Sequence, residues 1–541
     1  MEASERVEAS VTTLSPCARY IAGIANGKVR LIHAAQPERS KTLNTTIPPK
    51  DITAFSWSAD SDRIALLSSK RIEVLCFGDQ NYRVRIDNGS GGLGRFVSAA
   101  FINTDTILTI WEFGRAKLWN LSTGKGIDYG DLKSTCNGSN WQQRPPVPGR
   151  EPTRSVAMLS RSTAEDILTL HFPNQEQSLP SVKLPTIDAQ SVSWSPDGRW
   201  LAILDTPTAN PSVHFYTADG HLFRSISPTP RTESFTLGVK SLIWSGDSRM
   251  VGLSRYDGTI VLLSARTFAA VAVVEHASTI DQSLLAPEQR ALIWREALSA
   301  AGERSYSLAP QPVSPPLSRS KPSDEPSDLG VAEACFSCDG SYLASRDERM
   351  LSTVWIWSMA TLSAHAVVLQ HGNVRKMLWH PTKPDVVMLD CGEGFAYLFD
   401  VTAFSAPAFV PVSLPGTATL SWLVPSAEDK IAILAATRSA FRVVYPEGRD
   451  SLTDRAPSPI VSVGAEAYED GVSEDSLLDV LSGRKMLPPK TEPSYTEMVD
   501  LEANKADEED HTVALDDTFR GKRAAAVTEP ERDPLDDSQI F

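Results

Sequence analysis

One strand–turn–strand module, most clearly seen at 191–205, constrains how this chain can fold. Val192 and Trp194 alternate with serines, which is the period-2 pattern of a strand with one buried face. The Pro-Asp-Gly sequence at 196–198 has the residue types of a tight turn, and an apolar strand follows over 200–204. Such a unit cannot bury its own apolar faces, so it requires copies beside it.

The module recurs along the chain, and a spacing of about 43 residues appears at both ends of the series. The apolar residue before the turn is Leu14, Trp57, Phe101, Leu159, Trp194, Trp244, Phe336, Trp379 and Trp422. This period is expected of the four-stranded blades of a WD-repeat β-propeller. A β-sandwich is the alternative, but sandwiches lack a fixed repeat. We therefore predict an all-β propeller with about nine repeat units in roughly seven to nine blades, a single ring being favoured.

Periodicity and composition divide the chain into three parts. Residues 1–10 are a short polar lead that we expect to be flexible, 11–445 hold the repeats, and 446–541 form a tail. We expect a strand within 11–32 to complete the last blade by pairing with 420–445, because a closed propeller leaves no gap in its ring.

Three stretches interrupt the repeats and are predicted to be surface insertions. They lie at 121–153, 227–235 and 276–328, where Gly, Pro and Ser are frequent or the repeat breaks. Within the last insertion, 283–300 is compatible with a strand or a short helix, and 309–328 is predicted to be disordered because it is rich in Pro and Ser.

The tail carries nearly all of the net negative charge. The chain has a formal net charge of −15, and the residues from Pro446 onward include 24 acidic and 10 basic side chains. A composition that is acidic and poor in aromatic residues predicts disorder, since little apolar surface is available to offset the entropy of ordering. Within the tail, 474–482 combines acidic residues with an apolar cluster and precedes Gly483. It is a candidate short helix that folds on a partner, with plain disorder as the alternative.

Several classes of protein are disfavoured by the sequence. No apolar run is long enough to span a bilayer, and the N-terminus does not have the pattern of a signal peptide. Six cysteines in 541 residues are too few for a disulfide scaffold, which favours a reducing compartment. The repeat region is close to neutral, so we expect no direct contact with nucleic acid or membranes.

Motifs for catalysis and for cofactor binding are lacking, so we expect no enzyme activity, no cofactor and no metal. Cys335 and Cys338 resemble half of a zinc site, but no second ligand pair stands at a suitable spacing. Gly89, Gly91 and Gly94 formally fit a dinucleotide-binding motif, but the residues that follow predict a strand where that motif requires a helix.

Acidic residues and glycines recur at the turn of the repeat. They are Asp60, Asp197, Gly198, Asp247, Asp339 and Gly340. Recurrence at one point of the module predicts that the carboxylates cap backbone groups of the turn and are not catalytic. Ser314 and Ser458 are each followed by proline and are candidate phosphosites in segments expected to be flexible, with unmodified loops as the alternative.

Several segments also resemble one family, the WD-repeat proteins of centrosomes and fungal spindle pole bodies. The matching residues are 57–61, 86–93, 237–245, 256–258, 334–347, 354–357 and 374–381. The most specific run is Ala-Cys-Phe-Ser-Cys-Asp-Gly-Ser-Tyr-Leu-Ala-Ser-Arg-Asp at 334–347, which leads into Val-Trp-Ile-Trp at 354–357. The resemblance covers about residues 11–445, and the acidic tail departs from it.

This resemblance implies a non-enzymatic adaptor that tethers microtubule minus ends. The implied partners are a coiled-coil anchoring protein and a minus-end-directed kinesin, and the implied location is the spindle pole body within the cytoskeleton. A different class remains as the alternative, a propeller scaffold in an RNA- or translation-linked complex. The near-neutral repeats and acidic tail argue against direct RNA contact in that setting.

Overall fold

A computed structural model describes residues 1–77, 82–88, 94–135, 140–147, 155–171, 181–207, 211–227, 238–286, 289–317, 329–414, 416–424 and 430–448. The described strands form nine sheets, each of which is one blade of a β-propeller. Strand pairing is antiparallel in every blade, with a single parallel pair added in the seventh. The prediction of an all-β propeller is confirmed, and its nine repeat units correspond to nine blades.

The strands follow one another in chain order from the N-terminus. Two short strands precede the first blade, β1 (Glu2–Ala3) and β2 (Val7–Glu8). Blade 1 contains β3 (Ser10–Leu14), β4 (Tyr20–Ala25), β5 (Lys28–His33) and β6 (Ser40–Thr42). Blade 2 contains β7 (Ile52–Trp57), β8 (Arg63–Ser68), β9 (Arg71–Cys76) and β10 (Arg83–Asp87). Blade 3 contains β11 (Phe96–Phe101), β12 (Thr106–Trp111), β13 (Arg115–Asn120) and β14 (Gly126–Asp131).

The middle of the chain forms three further blades. Blade 4 contains β15 (Trp141–Gln143), β16 (Val156–Ser162), β17 (Glu165–His171) and β18 (Val182–Lys183). Blade 5 contains β19 (Ser191–Trp194), β20 (Trp200–Leu204), β21 (Val213–Thr217) and β22 (Leu222–Ile226). Blade 6 contains β23 (Val239–Trp244), β24 (Met250–Arg255), β25 (Thr259–Ser264) and β26 (Ala270–Glu275).

The last three blades complete the ring. Blade 7 contains β27 (Leu292–Leu298), β28 (Arg304–Leu308), β29 (Val331–Phe336), β30 (Tyr342–Asp347), β31 (Thr353–Ser358) and β32 (Ser363–Leu369). Blade 8 contains β33 (Lys376–Trp379), β34 (Val386–Asp390), β35 (Phe395–Asp400) and β36 (Ala408–Pro411). Blade 9 contains β37 (Thr419–Trp422), β38 (Ile433–Ala436) and β39 (Ala440–Tyr445). Short 3-10 helices lie at Pro49–Asp51 and Glu348–Met350.

The core of the propeller lies between neighbouring blades. The described residues form nine apolar clusters, one at each junction, including the junction of blade 9 with blade 1. Each blade is covered on both faces, so its second and third strands are almost continuously apolar, as in the buried Ile64–Leu67 run of β8. The first strands of successive blades contact each other around the ring, and the fourth strands lie at the periphery.

The ring closes through residues that we had expected to be a flexible lead. β1 and β2 both pair antiparallel with β39, the last strand of blade 9. The Ser4 N–H donates to the carbonyl of Val443 at 2.8 Å, and the Val443 N–H donates to the Ser4 hydroxyl at 3.0 Å. The prediction that an N-terminal strand completes the last blade is confirmed, but the closing strands lie within 1–10 and not within 11–32, which forms most of blade 1. The prediction of a flexible lead at 1–10 is therefore wrong. Two-residue strands are too short to produce a readable alternation.

The fourth unit begins earlier than predicted. Eight of the nine residues marked before the turn end the first strand of a blade, but Leu159 lies in β16, a second strand. The first strand of blade 4 is β15, inside the stretch 121–153 that we had assigned to a surface insertion, and β14 also lies there. β15 ends at Gln143 after three residues and β16 begins only at Val156, so the short strand–turn–strand spacing of the repeat is missing from the sequence here.

The insertion over 276–328 adds a hairpin to the edge of blade 7. β27 pairs with β28 and lies parallel to β32, which makes blade 7 six-stranded, and a strand thus occupies part of 283–300. The expectation of disorder from 309 onward is wrong for 309–317, because buried Val313 exchanges backbone hydrogen bonds with Ile280. Residues 228–237 and 318–328 lie outside the described part, as do Ser458 and the segment 474–482.

Candidate functional site

The turns predicted from the sequence share one arrangement of hydrogen bonds. The hydroxyl of a serine donates to the aspartate two residues later and accepts the backbone N–H of the residue five positions on. The Ser-to-Asp distances are 2.5 Å for Ser58–Asp60, 2.6 Å for Ser195–Asp197, 2.6 Å for Ser245–Asp247 and 2.7 Å for Ser337–Asp339. Burial raises the pKa of Asp60 and of Asp339, but these hydrogen bonds outweigh it and both carboxyl pKa values lie below the usual range. The structure places these aspartates as turn caps.

The turns of adjacent blades also contact each other. The Asp197 N–H of blade 5 donates to the Ser248 hydroxyl of blade 6 at 3.0 Å. Gly198 and Gly340 have positive φ angles of 66° and 76°, which glycine adopts without steric cost. A Cβ atom on Gly340 would lie 2.8 Å from a carboxylate oxygen of Asp247, so a side chain there would collide with the neighbouring blade. We call the face of the ring that carries these turns the turn face.

Tryptophans at the ends of the first strands add a second link between blades. The indole N–H of Trp244 donates to the Ser193 hydroxyl of blade 5 at 3.2 Å, and that of Trp379 donates to the Cys335 carbonyl of blade 7 at 2.9 Å. Trp422 repeats this with the Leu378 carbonyl of blade 8 at 3.0 Å. These positions therefore have a structural role in joining neighbours.

The remaining residues singled out by the sequence are not brought together in a reactive site. Burial raises the pKa of the Cys335 and Cys338 thiols, which opposes the thiolate form that zinc binding needs. Among the described residues, no three His, Cys, Asp or Glu side chains lie together in a way that could hold a metal ion. Gly94 precedes a strand, β11, and Ser314 is exposed with its hydroxyl 3.1 Å from that of Thr279.

A buried polar cluster that sequence reasoning missed fixes the inserted hairpin against blade 8. Glu296 of β27 accepts hydrogen bonds from Arg304 at 2.7 Å, from the His371 N–H at 2.8 Å and from the Tyr397 hydroxyl at 3.2 Å. Arg304 also pairs with Glu393 at 2.6 Å. Burial raises the pKa of the Tyr397 hydroxyl. Burial lowers the pKa of Arg304, but the hydrogen bond to Glu296 together with the charge interactions with Tyr397, Glu296 and Glu393 outweighs it, so that this pKa is raised. Every charge in the cluster has a partner of opposite charge. The cluster therefore has a structural role, which is to hold the inserted hairpin against blade 8, and is not a reactive centre.

A concave surface lined by several charged side chains lies between blades 5 and 6 on the turn face. It has a volume of about 390 Å³. Its lining residues come from three turns and are Asp197, Arg199, Trp200, Ser248, Arg249, Ser264, Ala265 and Arg266. We call it cleft 5–6. One predicted turn residue, Asp197, is therefore part of a surface cleft.

One aromatic residue, Trp200, lines cleft 5–6, and further aromatic rings pack behind or beside it. Phe268 stacks on Phe215 with ring centroids 3.8 Å apart, and Trp200 meets the edge of Phe268 at 5.2 Å. Phe223 of β22 packs on Trp200 at 4.8 Å but remains 51% exposed. The aromatic group is thus anchored in the core on one side and open to solvent on the other.

Three arginines, Arg199, Arg249 and Arg266, also line cleft 5–6. Arg199 and Arg249 occupy the same position of the repeat, and their side chains are 74% and 85% exposed. Each lies near only one carboxylate, at 3.5 Å from Asp197 and 3.6 Å from Asp247, distances longer than those of a strong charged hydrogen bond. Arg266 is also exposed. The turn sequences Asp-Gly-Arg and Asp-Ser-Arg show an arginine at the same position of two repeats. Only the fold shows that these two turns belong to neighbouring blades.

Apolar side chains continue from cleft 5–6 along the outer strand of blade 6. Val271 and Val273 of β26 are 50% and 52% exposed. The outer strands of blades 1 and 2 differ, since β6 reads Ser-Lys-Thr and β10 reads Arg-Val-Arg-Ile-Asp. The surface of blades 5 and 6 therefore combines an apolar edge with positive charge at one end.

The fold and its recurrent turns define a WD-repeat type of β-propeller, a class whose rigid ring serves as a scaffold for protein interactions. In the described residues, no helix has the length and apolarity needed to cross a bilayer. No family model matches the chain.

Two relatives carry WD repeats. The chain is similar to the mouse WD repeat-containing protein WRAP73, with 28% identity over 391 residues that cover 68% of this chain and 78% of the mouse protein. It is also similar to an uncharacterized WD repeat-containing protein of Schizosaccharomyces pombe, with 25% identity over 360 residues that cover 62% of this chain and 69% of that protein. Both identities are below 30%, and both relatives carry in their names the repeat type that the sequence pattern predicts.

Three solved structures align with the chain at TM-scores below 0.5. A eukaryotic initiation factor aligns with a TM-score of 0.48 and 10% identity over 74% of this chain and 88% of its own. Sqt1 of Saccharomyces cerevisiae aligns with a TM-score of 0.44 and 10% identity over 73% of this chain and 95% of its own. The C-terminal WD40 domain of Sif2 aligns with a TM-score of 0.40 and 11% identity over 77% of this chain and 98% of its own.

Proposed function

We propose that this protein is a non-enzymatic adaptor of the spindle pole body, where it anchors microtubule minus ends. A coiled-coil anchoring protein is the direct partner in this proposal, and a minus-end-directed kinesin joins through the same complex. The propeller supplies preformed surfaces, and a few residues on one of them dominate the affinity for the partner.

The observation that carries the proposal is the resemblance of specific segments to the centrosomal and spindle-pole WD-repeat family. In the fold, five of these seven segments lie in three neighbouring blades, whereas 57–61 and 86–93 begin in strands of blade 2. The residues of 237–245 from 238 onward belong to blade 6, 334–347 and 354–357 form strands of blade 7, and 374–381 begins blade 8. One continuous arc of three neighbouring blades, braced by the inserted hairpin, therefore carries most of the resemblance and is the region in which we propose that the partner docks.

Proximity labelling in dividing cells tests the proposal. The labelling enzyme is fused to the C-terminus, because the N-terminal strands β1 and β2 close the ring. We expect spindle-pole coiled-coil proteins to dominate the labelled set, and we expect depletion of the coiled-coil partner to remove the kinesin from it. A freely diffusing labelling enzyme is the control.

Nuclease treatment of a parallel affinity purification separates this function from an RNA-linked one. We expect the partners to persist after the treatment. Partners that are lost with the nucleic acid, together with a labelled set dominated by ribosomal or RNA-binding proteins, would contradict the spindle-pole role and favour the translation-linked scaffold.

A further inference from the structure

The outer strand of blade 6 is an edge that most β-proteins would protect. β26 reads Ala-Val-Ala-Val-Val-Glu and pairs only with β25 among the described strands. Natural edge strands are usually shielded by charges, prolines or bulges, because bare backbone groups and apolar side chains recruit another strand. β26 has one bulge, at Val271 near its start, and one charge, Glu275 at its far end, so 272–274 carry neither form of protection.

The same chain shows how an apolar edge is covered. The outer strand of blade 7, β32, has four consecutive buried residues, Ala366–Leu369, and takes the extra strand β27 in parallel register. Leu292 pairs with Ala366 and Trp294 with Val368, so apolar side chains of the added strand stand beside those of the edge. Blade 7 is thus an internal example of strand addition to an outer edge.

Positive charge at one end of β26 favours a binding partner that has acidic side chains at that end. β26 begins at Ala270, four residues after Arg266, so this end lies beside the turn that lines cleft 5–6. Arg199 and Arg249 complete a group of three arginines there. Arginine binds carboxylates with directed, paired hydrogen bonds, so acidic side chains fit this end and apolar side chains fit Val271, Val273 and Phe223.

We propose that β26 and cleft 5–6 form a docking site for an extended segment of another protein. The segment adds a strand to blade 6, places alternate apolar side chains against the exposed valines, and places a run of acidic residues among the three arginines. This inference concerns one surface and its ligand, and it stands whether or not the protein acts at a spindle pole.

Binding of two synthetic peptides to the full-length protein tests the site. One reads Val-Thr-Val-Thr-Val-Asp-Glu-Asp and the other has the reverse order, so that either strand direction can bring the acidic end to Ala270. A matched pair replaces the three acidic residues by lysines. By fluorescence anisotropy, we expect one acidic peptide to bind at least tenfold more tightly than its lysine counterpart, with affinity falling as salt is raised.

Hydrogen exchange locates the bound peptide. We expect slower exchange in the segment 270–275 when the acidic peptide is present, with no change in β32, whose edge is already covered. Substitution of Val271 and Val273 by Asp, or reversal of the arginines in R199E/R249E/R266E, should weaken binding at least tenfold. The control F404D alters a side chain that is 89% exposed in blade 8 and should leave binding unchanged.

Three outcomes would overturn the proposal. They are equal binding of acidic and lysine peptides, protection that appears elsewhere than 270–275, and unchanged affinity in both variants. A fourth is self-association of the protein that rises with its concentration and is abolished by the valine substitutions, since that would assign the edge to a second copy of this chain.

Discussion

Blades 6 and 7 are built from the same module but treat their outer edges differently. In blade 7 the outer strand β32 is buried beneath the inserted hairpin, and the hairpin is held by the Glu296 cluster. In blade 6 the outer strand β26 leaves Val271 and Val273 half exposed. The comparison shows that the repeat determines the burial of the three inner strands of a blade. The burial of the fourth strand depends instead on whether another segment of the chain packs beside it.

Loss of the buried Glu296 carboxylate beside the covered edge of blade 7 should cause the largest decrease in the free energy of unfolding. E296A leaves Arg304, whose side chain is 12% exposed, without its fully buried carboxylate partner. Breaking a buried ion pair costs about 3 kcal/mol. We expect that decrease in the free energy of unfolding by chemical denaturation, together with faster hydrogen exchange in β27 and β28.

The exposed Glu303 on the same hairpin provides the control for this prediction. E303A should change the free energy of unfolding by less than about 0.5 kcal/mol. Similar stabilities of E296A and E303A would show that the cluster does not hold the hairpin.

Acid should weaken the junction between blades 6 and 7 through His276. This side chain contacts the Gly258 carbonyl at 2.6 Å and the Ser345 hydroxyl at 2.8 Å. Burial lowers its pKa below the usual 6.5, even though Asp347 and Glu275 act in the opposite direction and Arg349 reinforces the effect. The unfolded chain therefore takes up a proton below about pH 6.5 that the folded chain does not. Stability should be greatest above that pH and decrease as the pH falls.

Unfolding midpoints at pH 7.5 and 5.5 check this prediction. H276Q cannot titrate, so its midpoint should fall less between the two pH values than that of the wild type, although it starts lower. Parallel pH profiles for the two proteins would mean that other groups cause the acid sensitivity.

Loss of one indole hydrogen bond in the same junction should decrease the free energy of unfolding by a smaller amount. The Trp357 N–H donates to the Ser345 hydroxyl at 2.7 Å, whereas the N–H of neighbouring Trp355 has no hydrogen-bond partner. Both rings are buried and they stack at 5.3 Å. Because W357F and W355F lose the same atoms, the difference in their stabilities isolates the hydrogen bond, and we expect W357F to be less stable by about 1 kcal/mol. Equal stabilities would contradict the tie between Trp357 and Ser345.

The smallest effect is expected on the open edge. V273K alters a side chain that is 52% exposed, so the free energy of unfolding should change by less than about 0.5 kcal/mol. The neighbouring Val274 is 3% exposed and packs toward blade 7, and V274K should be clearly destabilised. A large loss of stability in V273K would show that β26 belongs to the core after all.

Local chemistry explains which parts of this fold could be predicted. Trp194 and the turn at Asp197 were identified because strand alternation and turn residues act over a few positions. Glu296 and Tyr397 lie 101 residues apart, and no local pattern relates them. Blade 4 was misplaced because its first strand has three residues and lacks the turn that marks the others.

The interaction surface could be predicted even less. In the sequence, Arg199 and Arg249 are ordinary turn residues. They line a common cleft only because blades 5 and 6 are adjacent in the fold. The apolar character of β26 is visible in the sequence, but a buried outer strand such as β32 looks similar. Only the position of the inserted hairpin separates a covered edge from an open one.

The closure of blade 9 has a mechanical consequence. Glu2 pairs with Tyr445, so the chain enters and leaves the propeller at the same end of an antiparallel strand pair. Tension applied between residue 1 and residue 446 would load the hydrogen bonds of this pair one after another instead of all at once. The ring would therefore peel open at low force from its termini, while a pull between two blades would have to shear several strands together.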